Sequence, residues 1–102
     1  MVDPWEVISD RHRRRLLALL VGGERTVTEL AAQLPISRSA TSQHLRLLID
    51  VGLVTARKSG RNRYYQIQET GMAQLQRLFD TFWNNELDLL VSQADQIHDK
   101  KG

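Results

Sequence analysis

The side chains able to do chemistry here are mostly arginines and small polar residues. There is no cysteine, and His12, His44 and His98 are the only histidines. No thiol means no disulfide framework, thiolate zinc site, iron–sulfur cluster or cysteine nucleophile. The three histidines lie too far apart in sequence for an evident transition-metal motif. Ser39 and Ser42 have no nearby His/Asp arrangement to turn either into a nucleophile, so enzymatic chemistry is not expected. What remains is recognition. Arg38, Ser39, Ala40, Ser42, Gln43 and Arg46 fall in one stretch, and Arg57, Lys58, Arg61, Asn62 and Arg63 in a second. A glutamine can pair bidentately with adenine and an arginine can reach guanine or phosphate, while small residues let a helix approach base edges closely.

Charge is unevenly distributed along the 102 residues. Residues 1–10, 11–63 and 64–102 carry net charges of −3, +8 and −3. A basic block between acidic flanks on a small domain suggests a polyanion partner, for which nucleic acid is the default. The run Arg11-His12-Arg13-Arg14-Arg15 before an apolar stretch superficially resembles a secretory signal. That stretch, residues 16–21, is six residues long, and Asp3, Glu6 and Asp10 precede the bases. Neither a signal peptide nor a membrane span is expected, and the absence of cysteine fits a cytoplasmic protein.

The elements that must position these groups follow from caps and periodicity. Asp3 and Pro4 open a short helix over residues 4–9, with Glu6 completing a capping box. Asp10 caps a second helix to Val21, with Leu16, Leu17, Leu19 and Leu20 on its buried face and Gly22-Gly23 ending it. Thr26 and Glu29 form another capping box for a helix with Val27, Leu30, Ala31 and Leu34 at helical spacing, stopped by Pro35. Ser37 caps a fourth helix with Thr41, Leu45 and Leu48 inside, Leu47 and Val51 alongside, and Gly52 at its end. The first recognition stretch is its outer face.

After Gly52 the period changes. Residues 53–58 and 63–68, rich in β-branched or aromatic side chains and separated by Ser59-Gly60-Arg61-Asn62, read as a hairpin that must pack on the helices. Thr70 is expected to cap a last helix from about residue 71 into the nineties, roughly 25 residues and about 38 Å long. Met72, Leu75, Phe79 and Phe82 make one apolar stripe on it, and Leu78, Trp83, Leu87, Leu90 and Val91 widen it to neighbouring faces. A helix apolar nearly all round is buried on more than one side, and in so short a chain the second side points to a partner subunit. Trp5 and Ile8 of the first helix join the expected dimer surface. The fold class is mainly α with a small β-hairpin: a single winged helix-turn-helix domain over residues 1–102, with a long C-terminal dimerisation helix. In that arrangement one helix enters the major groove, its predecessor braces it, and the hairpin tip meets phosphates or the minor groove.

Specific motifs carry a family resemblance. Leu30-Ala31 with Leu34, the run Ile36-Ser37-Arg38-Ser39-Ala40-Thr41-Ser42-Gln43-His44-Leu45-Arg46-Leu47-Leu48, then Gly52-Leu53-Val54, Gly60-Arg61 and Tyr64-Tyr65 resemble the ArsR/SmtB repressors. The resemblance implies a homodimeric, cytoplasmic bacterial repressor whose first and last helices pair and whose fourth helix reads an inverted-repeat operator in double-stranded DNA. Two departures stand out. Thr41 replaces the family's usual valine at an inner position, where its hydroxyl needs a partner. Thr26-Val27-Thr28 stands where the family's metal sensors carry Cys-Val-Cys. The second family site, on the last helix, needs an Asp-x-His pair, a later His and a further acidic or His ligand, whereas Asp80 is followed by Phe82, then Gln93 and Gln96, and His98 is the only histidine there. Both metal sites are therefore expected to be missing, leaving no cofactor and an unknown effector.

Other readings stand beside this one. The chain could be a winged-helix protein-interaction module, or a dimeric sensor with a small-molecule pocket near Trp83. Exposed Gln43, Arg46, Arg61 and Arg63 favour DNA over a docking face, which would carry apolar anchors. His44 reads as a structural histidine in preference to a base reader. The aromatics Phe79, Phe82 and Trp83 read as core or dimer interface in preference to an effector pocket. Arg11, Arg13, Arg14 and Arg15 fit a solvated surface and phosphate clamps equally well.

Overall fold

The computed structural model describes residues 3–87 and 90–93, apart from the side chains of residues 86 and 87. The chain divides into two compact units, Met1–Met72 and Ala73–Gly102.

In the first unit, α1 (Pro4–Ile8) is capped by Asp3, whose carboxylate accepts from Trp5 N at 3.0 Å. The reciprocal bond expected from Glu6 is not part of this cap, which closes on the second helical residue. Helix α2 (Arg11–Val21) starts where the Asp10 carboxylate accepts from His12 N (2.8 Å) and Arg13 N (3.2 Å). It buries Leu16, Leu17 and Leu20, leaves Leu19 half-buried, and ends at Gly22-Gly23. Helix α3 (Val27–Ala31) has the full capping box: Glu29 N donates to Thr26 Oγ1, and Thr26 N donates back to Glu29 Oε1. Ser37 caps α4 (Arg38–Asp50) by accepting from Ala40 N at 3.0 Å. Thr41, fully buried, satisfies its hydroxyl by donating to Ser37 O at 2.9 Å, which offsets the cost of a polar atom in that position.

The end of α4 fixes where the sheet begins. Gly52, with φ +80°, donates to Ile49 O, and Leu53 N donates to Leu48 O, both at 2.9 Å. This is a Schellman turn, with a glycine in the left-handed position and a buried leucine after it. The chain then runs straight into β2 (Val54–Ser59) and returns as β3 (Asn62–Ile67). Ser59 pairs with Asn62, so the turn is the two residues Gly60-Arg61, tighter than the four-residue connection expected. Gly60 takes φ +61° at the first turn position, the pattern of a type II′ turn. A third strand, β1 (Arg25–Thr26), pairs antiparallel with β3, giving the order β1-β3-β2. The expected hairpin is therefore part of a three-stranded sheet.

The core joins Leu16, Leu30, Leu45, Leu48, Leu53, Val7 and Val54, with Tyr65 contributed by β3. Each fully buried leucine contributes about 1.5–3 kcal/mol relative to an exposed one. These side chains lock the inner face of α4 and one face of the sheet, so the other face of α4 is held outward.

The last helix, α5 (Glu69–Phe82), begins two residues before the position expected. Gln68 N donates to Leu53 O at 2.9 Å, and its carbonyl accepts from Met72 N at 3.0 Å, so the chain turns helical as it leaves β3 and Thr70 lies inside the helix. Gly71 explains how closely this can happen. A Cβ there would lie 1.7 Å from Gly52 O, so the first turn of α5 rests directly on the turn that ends α4. In the second unit the helix continues past Phe82 as a wider π-helical turn, Trp83–Leu87, and residues 90–93 are again helical.

Candidate nucleic-acid interface

The expected recognition residues lie where the packing of α4 puts them. Thr41, Leu45 and Leu48 are buried, while Arg38, Ser39, Gln43 and Arg46 are exposed and Ala40 and Ser42 are half-buried. Ser39, Gln43 and Arg46 follow i, i+4, i+7 spacing and so form one stripe on the outer surface. A turn of six residues, 32–37, connects α3 to this helix.

On the wing, strand register sorts the basic side chains between two faces. Val54, Ala56 and Lys58 stand opposite Ile67, Tyr65 and Arg63 on the face that carries the buried Val54 and Tyr65. Lys58 and Arg63 are thus paired cations on one face, an arrangement that costs stability unless something negative sits against it. Ser42, Arg46, Ile49 and Asp50 of α4 and Arg63 and Tyr65 of β3 line a groove of about 450 Å³. The structure brings Arg46 and Arg63 to one groove, although the sequence had put them on separate elements with separate tasks. Arg61 and Asn62 are exposed at and beside the tip.

Arg57 is placed differently from its basic neighbours. It lies on the opposite face of the sheet, where its guanidinium makes a two-point bridge to Glu24, with Nε donating to Oε2 at 3.0 Å. Its Cζ is 4.8 Å from the centre of the Tyr64 ring. The hydrogen bonds and charge of Arg57 hold the Glu24 carboxyl below its usual pKa, and Glu24 raises that of Arg57. This is the one ion pair among the described residues. Arg38, Arg46, Lys58, Arg61 and Arg63 have no carboxylate partner there.

The basic cluster at the start of α2 has partly structural work. Arg13 Nε donates to Val7 O, and Arg14 donates to Ile8 O and Ser9 O at 2.8 Å. Both guanidiniums thus satisfy carbonyls at the end of α1, where cations are favoured. Arg13 also lies 3.2 Å from His44 Nδ1, and the His12 and His44 rings are 5.8 Å apart. With Arg13 as donor, His44 Nδ1 is the acceptor and the imidazole is neutral. Burial pushes the His44 pKa down, the neighbouring Arg13 and His12 add to this, and Asp10 partly opposes it. Arg11 and Arg15 are exposed.

The second unit presents an apolar surface. Leu78, Phe79, Phe82, Trp83, Leu90 and Val91 are each between 43% and 59% exposed. Phe79 and Trp83 meet edge to face with centroids 5.5 Å apart. Trp5 is exposed and Ile8 half-buried in the first unit, and the side chain of Leu87 lies outside the described residues. Among the described residues no helix is long and apolar enough to cross a membrane.

Comparison with known proteins agrees with this geometry. The profile of the bacterial regulatory protein, arsR family, matches residues 10–56, from the cap of α2 into β2. The HTH-type transcriptional regulator Rv2034 of Mycobacterium tuberculosis is 42% identical over 95 residues, covering 89% of each chain. The chain belongs to the ArsR family. A crystal structure of a possible transcriptional regulator for arsenical resistance is 56% identical, with a TM-score of 0.81 over 91% of this chain and 97% of the other. The homodimeric winged helix-turn-helix DNA-binding domain Mb0332 of Mycobacterium bovis is 30% identical, with a TM-score of 0.64 over 81% and 77% of the two chains. ArsR proteins of this kind are transcriptional regulators rather than enzymes, and the mainly helical winged fold with its long C-terminal helix is theirs.

Proposed function

We propose that this ArsR protein is a homodimeric, sequence-specific repressor that occupies an inverted-repeat operator and needs neither family metal site. One observation carries the reading: the polar Ser39/Gln43/Arg46 stripe stands outward beside a wing whose Lys58 and Arg63 are juxtaposed with no ion pair to either among the described residues. The stripe meets base edges in the major groove, with Gln43 the leading base reader. Arg46 and Arg63 share a groove suited to a backbone phosphate, and Lys58, Arg61 and Asn62 extend the contact along the wing. Ser39, Ala40 and Ser42 permit close approach, and Arg38, at the first turn of α4, meets phosphate.

Dimerisation rests on the exposed apolar side chains of the second unit, and in the first unit Trp5 and Ile8 are further candidates for contact with the partner subunit. So many large exposed apolar side chains on one short element are uncommon on a monomer. The homodimeric state of the Mycobacterium bovis domain supports extending it to this chain. A two-fold dimer then presents two recognition helices to two half-sites, and repression follows from occupying a promoter. Independence from the family's first metal site is supported by the Thr26 hydroxyl, which donates to Glu29 Oε1 and accepts from Glu29 N in a helix cap. The protein is expected to act in the cytoplasm as one functional domain.

The test is a genome-wide pull-down of DNA fragments with the intact chain, beginning with its own upstream region. Enrichment of one inverted repeat is expected. Recovery without any shared sequence, at levels set by fragment length alone, would refute sequence-specific recognition and favour the protein-interaction reading.

A further inference from the structure

The Glu24–Arg57 bridge is set apart from the remaining wing cations by the face it occupies. Across the sheet, Arg57 pairs with Tyr64, and Tyr64 pairs with Thr26. Alternation places these three residues on the face opposite Lys58, Arg63 and the groove beside α4. Glu24 immediately precedes β1, so the guanidinium crosses the middle strand over the Tyr64 ring and grips the far edge of the sheet. β1 is only two residues long, a weak tether by itself. The bridge adds a fixed point between the turn that precedes the helix-turn-helix and the strand that leads to the wing tip.

Resting on the DNA-binding reading above, we infer that Arg57 is a positioning residue: with Glu24 it holds the wing at the angle that brings Arg61 and Arg63 to phosphate, and contacts no phosphate itself. The fork geometry suits this task, since a planar guanidinium held at two oxygens and stacked on an aromatic ring has little freedom left. An exposed pair of this kind contributes modestly to stability. Its effect is therefore on placement of the wing rather than on the survival of the fold.

The two roles for Arg57 give opposite results for Glu24→Gln. Freeing a phosphate-binding arginine from its carboxylate would tighten DNA binding; loosening a positioning clamp weakens it. The experiment titrates a duplex selected by the wild-type chain from a random pool, at several salt concentrations, with Glu24→Gln, Arg57→Gln, Arg57→Lys and the reversed pair Glu24→Arg with Arg57→Glu. Expected are losses of about three- to fivefold for the three single variants and substantial recovery in the reversed pair. The salt slope for Arg57→Gln should stay at the wild-type value, whereas a lost phosphate contact would make it shallower by about one unit. Combining Glu24→Gln with Arg61→Ala separates positioning from general weakening, because the Arg61→Ala loss must shrink when the wing is already misplaced. Tighter binding by Glu24→Gln, a shallower slope for Arg57→Gln, no recovery in the reversed pair, or full additivity with Arg61→Ala would each overturn the inference. A wild-type chain that selects no duplex at all would instead overturn the DNA-binding reading.

Discussion

Replacing Gly71 with alanine tests the junction between the first turn of α5 and the turn that ends α4. The new Cβ would sit 1.7 Å from Gly52 O and 2.6 Å from Gly52 C, and real contacts of this type are essentially never under 3.0 Å. Opening 1.7 Å to 3.0 Å requires a shift of about 1.3 Å between two backbone segments, neither of which has a flexible side chain to give way. Overpacking of this kind typically costs about 1–3 kcal/mol. The adjoining bond from Gln68 N to Leu53 O, now 2.9 Å, would break or lengthen, at about 1 kcal/mol. Leu53, 1% exposed, would also lose some of its packing. Against these stands a gain of about 1 kcal/mol from replacing a helical glycine with alanine. The net expectation is a loss of about 1–3 kcal/mol, or a Tm lower by roughly 5–20 °C for a domain of this size. Thermal unfolding followed by circular dichroism is the assay. A Gly71→Ala variant as stable as wild type, or more so, would refute the close contact between α5 and the end of α4.

Acidification should destabilise the fold at two steps. Burial raises the Asp10 pKa, but hydrogen bonds from Arg13 N and His12 N together outweigh this and hold it below 3.8, so its cap is fully effective above that value and is lost as pH falls through the lower folded pKa. Asp10→Ala should cost about 0.5–2 kcal/mol at neutral pH, measured by urea titration, and Asp10→Asn should retain most of the cap without this pH dependence. His44, whose pKa is also lowered, should withdraw stability as pH falls below 6.5 toward its folded pKa, and His44→Gln should remove that step. Sedimentation at micromolar concentration should show a dimer for wild type and a monomer for Phe82→Glu. Zinc, nickel or copper should leave operator affinity equal to that in chelator, since threonine hydroxyls, Phe82 and the glutamines 93 and 96 are poor replacements for thiolates and imidazoles.

Caps and glycines made much of the first unit legible. Asp3, Asp10, Thr26 and Ser37 each cap the expected helix, because a short polar side chain before an apolar repeat satisfies backbone donors locally. Gly52 marked the end of α4 for the same local reason. The features that escaped the sequence depend on partners distant along the chain. β1 is too short for periodicity to reveal, and it exists only because β3 offers it an edge. Arg57 looked like another wing cation, and only strand register shows it on the face shared with Glu24. Arg13 and Arg14 fitted a solvated surface and phosphate clamps equally well in the sequence, but their guanidiniums reach back to carbonyls at the end of α1. Thr70 had the chemistry of a cap, but the close seat of Gly71 on Gly52 and the bonds of Gln68 start the helix earlier.

The central claim is that α4 reads bases while the wing supplies phosphate contacts. It is tested most directly by titrating the selected operator and its single-base variants with Gln43→Ala and Arg61→Ala at several salt concentrations. Gln43→Ala should relax base preference at about one position per half-site, costing roughly 1–3 kcal/mol if the contact is bidentate. Arg61→Ala should weaken all sequences about equally and make the salt slope shallower by about one unit. An unchanged base profile for Gln43→Ala together with an altered one for Arg61→Ala would contradict the account, because the wing would then be reading the sequence.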